Sequence, residues 1–124
     1  MKVKKLLGKK GHKVNTISPD APVSDAMKLM SKKKVNTLVV SENEKMVGIL
    51  SEEDYARKVI LKGRKAKKIQ VRDIMTSKVI YTTPNQKLDK CLSLMVKNRI
   101  HHLPVLENDR LVELLSIEDI KKNT

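Results

Sequence analysis

The chain of 124 residues contains neither phenylalanine nor tryptophan, and its only aromatic residues besides histidine are Tyr55 and Tyr81. A buried core therefore has to be built from Val, Ile, Leu and the six methionines. The aromatic platforms on which single-stranded nucleic acids stack are missing, which argues against that class of binding protein. The length is that of one ordinary domain, about 100–150 residues.

Cysteine, glycine and long apolar runs are also scarce. A single cysteine, Cys91, excludes an intrachain disulfide and suits a reducing compartment. The four glycines form no glycine-rich phosphate loop, and no apolar run approaches the roughly 18 residues of a membrane span. The first 13 residues, MKVKKLLGKKGHK, lack the apolar segment of a signal peptide. The sequence predicts a cytoplasmic protein with no membrane association.

Acidic residues are few, 14 against 27 lysines and arginines, so the formal net charge is +13. Such a charge makes association with polyanions electrostatically easy. Basic runs at Lys2–Lys13, Lys32–Lys34 and Lys62–Lys68 are consistent with nucleic-acid binding, and equally with a solvated lysine-rich surface. Binding through lysine–phosphate contacts would weaken steeply with salt.

The feature that organises the chain is an internal repeat. The segment Val14–Arg57 aligns without a gap on Val79–Lys122, with a constant offset of 65 residues. Matched positions include Pro19 with Pro84, Ser51 with Ser116, and Asp54 with Asp119. Two copies of so short a unit predict one pseudo-symmetric domain with a cleft between its halves, and clefts are where ligands bind.

Each repeat predicts the element order β-α-β-β-α. An extended piece ends at a proline, in Val14–Pro19 and Val79–Pro84. Apolar residues then recur at helical spacing. They are Val23, Ala26, Met27 and Met30 in one copy, and Leu88, Cys91, Leu92 and Met95 in the other. Cys91 on such a stripe is interpreted as a buried, inert thiol.

Two strands and a second helix complete each repeat. The predicted strands are Leu38–Val40 with Met46–Leu50, and Leu103–Leu106 with Leu111–Leu115, joined by turns at 43–45 and 108–110. Pro104 lacks a backbone donor, which predicts a strand start or an edge position. Ser51 and Ser116 each open a helix with a capping-box pattern, completed by Asp54 and Asp119. The first of these helices is predicted to reach about Lys62 and stop at Gly63.

Four segments resemble the CBS-domain family in order and in duplicate. They are Val71–Thr76, Val79–Pro84, Arg99–Val105 and Val47–Asp54, the last similar to the family's pattern of a glycine, two apolar residues, Ser or Thr, and an aspartate three positions later. The chain is identified as resembling a tandem CBS pair, or Bateman module, over nearly its whole length. The resemblance implies a mixed α/β (α+β) fold of two β-α-β-β-α CBS repeats related by a pseudo-twofold axis.

The expected boundaries are a single CBS-pair domain at 1–124, with a first motif at 11–62, a basic linker and lead-in at 63–75, and a second motif at 76–124. Family members are regulatory modules without catalysis of their own. Many bind AMP, ADP, ATP or S-adenosyl compounds between the motifs, and pairs commonly form homodimers. The resemblance therefore implies an adenine-nucleotide sensor that acts on a separate protein, with no cofactor besides that ligand and S-adenosylmethionine as an alternative ligand.

Residue types at the second helix suit a nucleotide. A serine hydroxyl donates to phosphate, and an aspartate accepts two hydrogen bonds from a ribose diol. The helix start offers free N–H groups and a positive dipole end. The same Ser and Asp also read simply as a capping box, and the two roles are compatible.

The resemblance implies two composite sites, each built from both motifs. The first would hold Ile49, Ser51, Asp54, Ser77, Val79, Ile80, His101 and His102. The second would hold His12, Val14, Asn36, Thr37, Leu114, Ser116 and Asp119. Glu113 stands where the first copy has Gly48, and Asn36-Thr37 stand where the second has His101-His102. The first site is therefore preferred, and the second is the weaker candidate.

Other chemistries find little support. His101 and His102 are adjacent in a predicted strand and would point to opposite faces, so no metal site is expected. No nucleophile–base arrangement or carboxylate pair indicates an enzyme. Two alternatives to nucleotide sensing stay open. They are an unliganded structural or adaptor dimer, and a basic protein associated with nucleic acid.

Overall fold

The computed structural model describes residues 1–10 and 14–124, the side chains of residues 8–10 excepted. The chain forms two compact units. The first-repeat unit is Asn15–Val79. The second-repeat unit combines Met1–Val14 with Ile80–Thr124. The mixed α+β class predicted from the sequence is confirmed.

The first-repeat unit follows the predicted β-α-β-β-α order. Its elements are β1 (Thr16–Ile17), α2 (Val23–Lys33), β2 (Thr37–Glu42), β3 (Lys45–Ser51) and α3 (Glu52–Tyr55), whereas α1 (Val3–Lys10) belongs to the other unit. The strands form one sheet in the order β1-β2-β3, with β1 parallel and β3 antiparallel to β2. Helix α3 continues into a π-helical turn, Ala56–Ile60, and Gly63 follows at φ +64°. The predicted helix therefore ends close to the predicted residue.

The second-repeat unit holds α1 (Val3–Lys10), α4 (Leu88–Asn98), β4 (His102–Glu107), β5 (Arg110–Ser116) and α5 (Ile117–Lys121). Strands β4 and β5 are antiparallel, and β4 carries the same register shift that β2 does, between Val105 and Leu106. In both hairpins two residues with φ between 53° and 66° make the turn, Asn43-Glu44 and Asn108-Asp109. Such consecutive positive φ values match the right-handed twist of the flanking strands.

The predicted strand at Val79–Pro84 is wrong in extent, because only Thr82 pairs there, with Val105. Pro104 supplies the physical reason. Its first-repeat equivalent, Val39, donates its N–H to Asn15 at 3.3 Å, and proline has no N–H to donate. Pro104 lies inside β4 rather than at its start. Its missing donor faces the Thr82 side, since its own carbonyl accepts the Thr82 N–H at 2.9 Å.

Each unit has its own aliphatic core, as the composition predicts. The helical stripes lie inward, with Met30 and Met95 fully buried at equivalent positions. Cys91 is also buried, 1% exposed, beside the Thr82 hydroxyl at 3.4 Å. Desolvation raises the pKa of the Cys91 thiol, while the hydrogen bond to Thr82 opposes that rise. These observations confirm the interpretation of Cys91 as a buried thiol.

The amino-terminal segment packs on the second repeat rather than the first. Buried Val3 and Leu6 join the core that contains Leu88 and Met95. In the first-repeat unit, Val71 and Ile74 are buried in the core in the same way. Each segment therefore fills a gap in the core of its unit, which neither repeat closes alone.

Backbone hydrogen bonds show that these two segments are copies. The Met1 carbonyl accepts the Leu88 N–H at 2.9 Å, as the Ile69 carbonyl accepts that of Val23 at 2.9 Å. Likewise Val3 donates to Gln86 at 2.8 Å, and Val71 donates to Ala21 at 2.9 Å. The bonds to Leu88 and Val23 satisfy helix-start donors of α4 and α2, whose preceding residues make no side-chain cap.

Candidate functional site

Ser51 and Asp54 form the capping box that the sequence predicts. The Asp54 N–H donates to Ser51 Oγ at 3.2 Å, and the Ser51 N–H donates to Asp54 Oδ2 at 3.0 Å. The Ser51 hydroxyl also lies 3.2 Å from Asp54 Oδ2. The carboxylate is therefore fixed in one orientation at the end of β3.

Ser116 and Asp119 repeat this arrangement in the second-repeat unit. Ser116 N–H donates to Asp119 Oδ2 at 3.0 Å, and Asp119 N–H donates to Ser116 Oγ at 3.1 Å. The duplicated sequence pattern thus produces the same local structure twice.

The first turns of α3 and α5 use donors that an incoming phosphate was expected to meet. The Glu52 N–H donates to the Asn36 carbonyl at 3.0 Å, and the Ile117 N–H donates to the His101 carbonyl at 2.9 Å. Asp54 and its counterpart donate to serine hydroxyls, as above. Since Glu52, Glu53 and Asp54 also make the first turn of α3 acidic, this helix start offers little to an anion.

Asn36-Thr37 and His101-His102 lie beside the capping box of their own repeat. The register pairs Thr37 with Ser51, and His102 with Ser116. This follows from the hairpin, in which the start of one strand meets the end of the other. Assignment of these four residues to the opposite composite site stays a prediction.

The lead-in to the second motif runs along the edge of β3. Ile49 and Thr76 exchange both backbone hydrogen bonds, at 3.0 and 2.9 Å. Ser77, which follows Thr76 directly, is exposed, and Val79 is half-buried. Ile49 lies two positions before Ser51 on β3. The first-repeat unit therefore contains five of the residues predicted for the first site. They are Ile49, Ser51, Asp54, Ser77 and Val79.

Gly48 owes its identity to this close approach. A Cβ atom at Gly48 would lie 2.7 Å from Met75 Sδ and 2.9 Å from the Thr76 carbonyl oxygen. Real Cβ atoms essentially never come so near, and the second contact is with backbone that cannot swing aside. Glycine is thus required here by the neighbouring lead-in segment.

Glu113, which stands at the equivalent place in β5, is buried at 6% exposure. Its carboxylate accepts the Leu114 N–H at 3.0 Å. In the first repeat the equivalent N–H, that of Ile49, is satisfied by the Thr76 carbonyl. A side chain in one copy therefore takes over a hydrogen bond that a lead-in strand makes in the other.

Lys58 is a site residue that the sequence reasoning missed. Its ammonium lies 3.2 Å from Asp54 Oδ1 and donates to the Ile74 carbonyl at 2.9 Å. The Asp54 side chain is 15% exposed and that of Lys58 is 39% exposed. An acid followed four residues later by a base on a helix was the available signal. Asn123, the equivalent residue, donates to the Asp119 backbone carbonyl at 2.8 Å instead.

His102 is half-buried, and His101 is exposed. Desolvation lowers the pKa of His102, and the adjacent His101 lowers it further, while Glu118 and Asp119 act in the opposite direction. Of the other predicted residues, Ile80, Val14 and Leu114 are half-buried in the second-repeat unit. His12 lies outside the described residues.

Over residues 1–10 and 14–124, no three His, Cys, Asp or Glu side chains gather as a metal ion would require. Over the same residues, no helix combines the length and apolar character of a membrane span.

Comparison with known proteins names the class of fold. The CBS domain family model matches residues 10–61 and 71–123. The chain belongs to the CBS-domain family and carries two copies of the domain, a pair that constitutes a regulatory module.

Particular relatives cover most of this chain. The mitochondrial CBS domain-containing protein CBSX3 of Arabidopsis thaliana is 41% identical over 106 residues, which are 82% of this chain and 52% of that protein. This chain thus spans about half the length of that relative. A solved CBS-domain protein from Burkholderia ambifaria MC40-6 matches with a TM-score of 0.92 and 41% identity, over 98% of this chain and 92% of that one.

A third protein was solved with ligands. This CBS domain pair, in complex with 5′-methylthioadenosine and S-adenosyl-L-methionine, matches with a TM-score of 0.85 and 27% identity. The match covers 98% of this chain and 94% of that one.

Proposed function

We propose that the chain binds an adenosine derivative through Ser51 and Asp54 and thereby regulates a separate protein. The observation that carries the proposal is the fixed Asp54 carboxylate, 15% exposed, at the end of a strand whose Ile49 pairs with Thr76. A carboxylate held in this way is preorganised to accept a hydrogen bond from a ribose hydroxyl. The backbone beyond Thr76, which begins at the exposed Ser77, is proposed to supply polar groups for a base edge.

Membership of the CBS family supports the adenosine part of the proposal, as does the related pair that carries 5′-methylthioadenosine and S-adenosyl-L-methionine. Among ligands, AMP, ADP and ATP are preferred over S-adenosylmethionine because the net charge of +13 favours phosphorylated partners. Ile80, His101 and His102 are proposed to complete the site. The second set, around Ser116 and Asp119, is proposed as the weaker or empty one.

We further propose that the protein is a cytoplasmic homodimer without catalytic activity. Ile60 and Leu61 support self-association, since these adjacent apolar residues are 58% and 79% exposed. Analytical ultracentrifugation of the wild-type chain and of Leu61→Ser would measure the oligomeric state directly.

Thermal unfolding in the presence of millimolar AMP, ADP, ATP, adenosine, 5′-methylthioadenosine and S-adenosylmethionine tests the central proposal. A ligand at 100 times its Kd should stabilise the folded state by about 2.7 kcal/mol. Asp54→Asn keeps the size of the side chain and should abolish the shift, whereas Asp119→Asn should preserve it. Absence of stabilisation by every compound would leave the empty adaptor module as the better account.

Equal losses in Asp54→Asn and Asp119→Asn would contradict the preference for the first site while leaving nucleotide binding intact. Calorimetric titration of both variants distinguishes these outcomes. As a control, each variant without ligand should unfold in a single thermal transition.

A second candidate function is nucleic-acid association through exposed lysines. Lys32, Lys33 and Lys34 are all exposed at the end of α2, and so are Lys67 and Lys68 near its start. Binding of this kind should weaken by orders of magnitude between 50 and 200 mM salt if about six or more phosphates are contacted. Affinity for a mixed-sequence oligonucleotide, measured by fluorescence anisotropy across that range, tests it.

A further inference from the structure

We propose that Lys58 makes the Ser51–Asp54 site selective for phosphorylated adenosine over the uncharged nucleoside. This inference rests on the proposed function and adds to it a positioning residue and a preference. It begins from a three-way contact, in which one ammonium group meets Asp54 Oδ1 at 3.2 Å and the Ile74 carbonyl at 2.9 Å.

The contact fixes the carboxylate from both sides. Ser51 donates to Asp54 Oδ2 through its N–H, and its hydroxyl lies within reach of the same oxygen. Lys58 holds Oδ1. A carboxylate has about four acceptor positions, so these three donors leave one on Oδ1 for a ligand hydroxyl.

Lys58 also joins the carboxylate to the lead-in segment. Ile74 is buried, and Thr76, two residues on, pairs with Ile49. One side chain therefore links Asp54 to the segment that leads to Thr76.

The second effect of Lys58 is on the charge around Asp54. The first turn of α3 carries Glu52, Glu53 and Asp54, of which Glu53 pairs with Arg57 at 2.8 Å. Without Lys58 the turn would present Glu52 and Asp54 uncompensated, and a phosphate within about 8–10 Å would be repelled. With Lys58 in place, Asp54 is neutralised, and one of the three ammonium donors is left for a phosphate oxygen.

The second repeat provides an internal contrast. Its equivalent residue, Asn123, is uncharged and contacts the Asp119 backbone, so Asp119 has no lysine at that position. The aspartate of the capping box is thus followed four residues later by a lysine in one copy and by an asparagine in the other, and the proposed preference for phosphate belongs to the first copy.

Calorimetric titration with AMP and with adenosine tests the proposal on the full chain. We expect the wild type to bind AMP at least tenfold more tightly than adenosine. Lys58→Met keeps the side-chain stem and should reduce this ratio below threefold, whereas Lys58→Arg should retain it. Lys62→Met makes the same charge change at an exposed lysine four residues on, and should leave the ratio unchanged.

Three results would overturn the assignment. If Lys58→Met lost affinity for AMP and adenosine by the same factor, Lys58 would have only a structural role. If the wild type bound both ligands equally, nucleoside binding would stand and the preference would fall. If the wild type bound neither, the proposed function and this inference would fall together. Unfolding temperatures of all variants, measured without ligand, show whether any of them has lost its fold.

Discussion

Gly48 and Glu113 occupy the same place in two copies of one hairpin, yet one has no side chain and the other has a charged one. In the first repeat the lead-in segment comes within 2.9 Å of where a Cβ would be, and its backbone satisfies Ile49. In the second repeat the Glu113 carboxylate satisfies Leu114 itself. The comparison shows that the duplicated hairpin contains the same backbone donor in each copy. A backbone carbonyl accepts it in the first repeat, and a side-chain carboxylate accepts it in the second.

The largest expected effect comes from adding atoms at the crowded position. Gly48→Ala should destabilise the protein by about 1–3 kcal/mol, because its Cβ would overlap backbone that cannot move cheaply. Urea unfolding followed by circular dichroism measures the change. As the matched variant, Glu113→Ala adds no atoms and should cost less, through loss of the acceptor for Leu114. A Gly48→Ala protein as stable as wild type would show that the lead-in strand yields easily.

A smaller loss of folding stability is expected from a substitution at the position where the two repeats differ in pairing with their first strand. Val39→Pro copies Pro104 and removes the N–H that donates to Asn15, at a cost of about 1–1.5 kcal/mol. It should also speed amide hydrogen exchange at Ile17, the β1 residue that pairs on this side of β2. The control is Val39→Thr, which keeps the donor. Unchanged exchange at Ile17 would mean that Pro104 does not explain the shortened strand of the second repeat.

The two capping boxes should respond alike. Ser51→Ala and Ser116→Ala each remove one side-chain acceptor from an equivalent helix start, for about 1 kcal/mol apiece. Unfolding free energies of the two single variants should agree within experimental error, and the double variant should show their sum. A clear difference between the single variants would reveal that Lys58, present in one copy alone, alters the contribution of the cap.

The smallest effect is a pH dependence confined to the second repeat. Burial lowers the pKa of His102, so the unfolded chain binds a proton more readily than the folded one. Stability should therefore be greatest above the ordinary histidine pKa of about 6.5 and fall as the pH drops below it. His102→Thr, which copies Thr37, should flatten unfolding temperatures measured between pH 7.5 and 5. His101→Asn, the exposed neighbour changed to match Asn36, should not flatten them.

Sequence reasoning was most successful where the signal was local. The helical stripes containing Met30 and Met95, the hairpin turns and both Ser–Asp capping boxes are confirmed because they depend on spacing within a few residues. It was least successful for the first strand of the second repeat, where one missing N–H in Pro104, more than twenty residues beyond Val79, decided the pairing.

The lead-in at Val3 was missed for a different reason. Val3 and Val71 are equivalent but lie 68 residues apart, whereas the rest of the repeat has an offset of 65. A gap-free alignment that begins at Val14 hides the match. Allowing a three-residue gap would have paired Val3-Lys4 with Val71-Arg72, and Leu6 with Ile74.

The sequence alone determined that this chain is a duplicated α+β unit of the CBS type. The spacing of apolar residues, the turn residues and the helix caps each depend on residues that are close together along the chain. The sequence also determined which residues could form the Ser51–Asp54 pair. Only the tertiary structure decided that Lys58 bridges Asp54 and Ile74, and that Gly48 is a packing requirement of the lead-in at Met75 and Thr76. Both depend on contacts between segments more than fifteen residues apart, whose approach is set by the filling of a shared core.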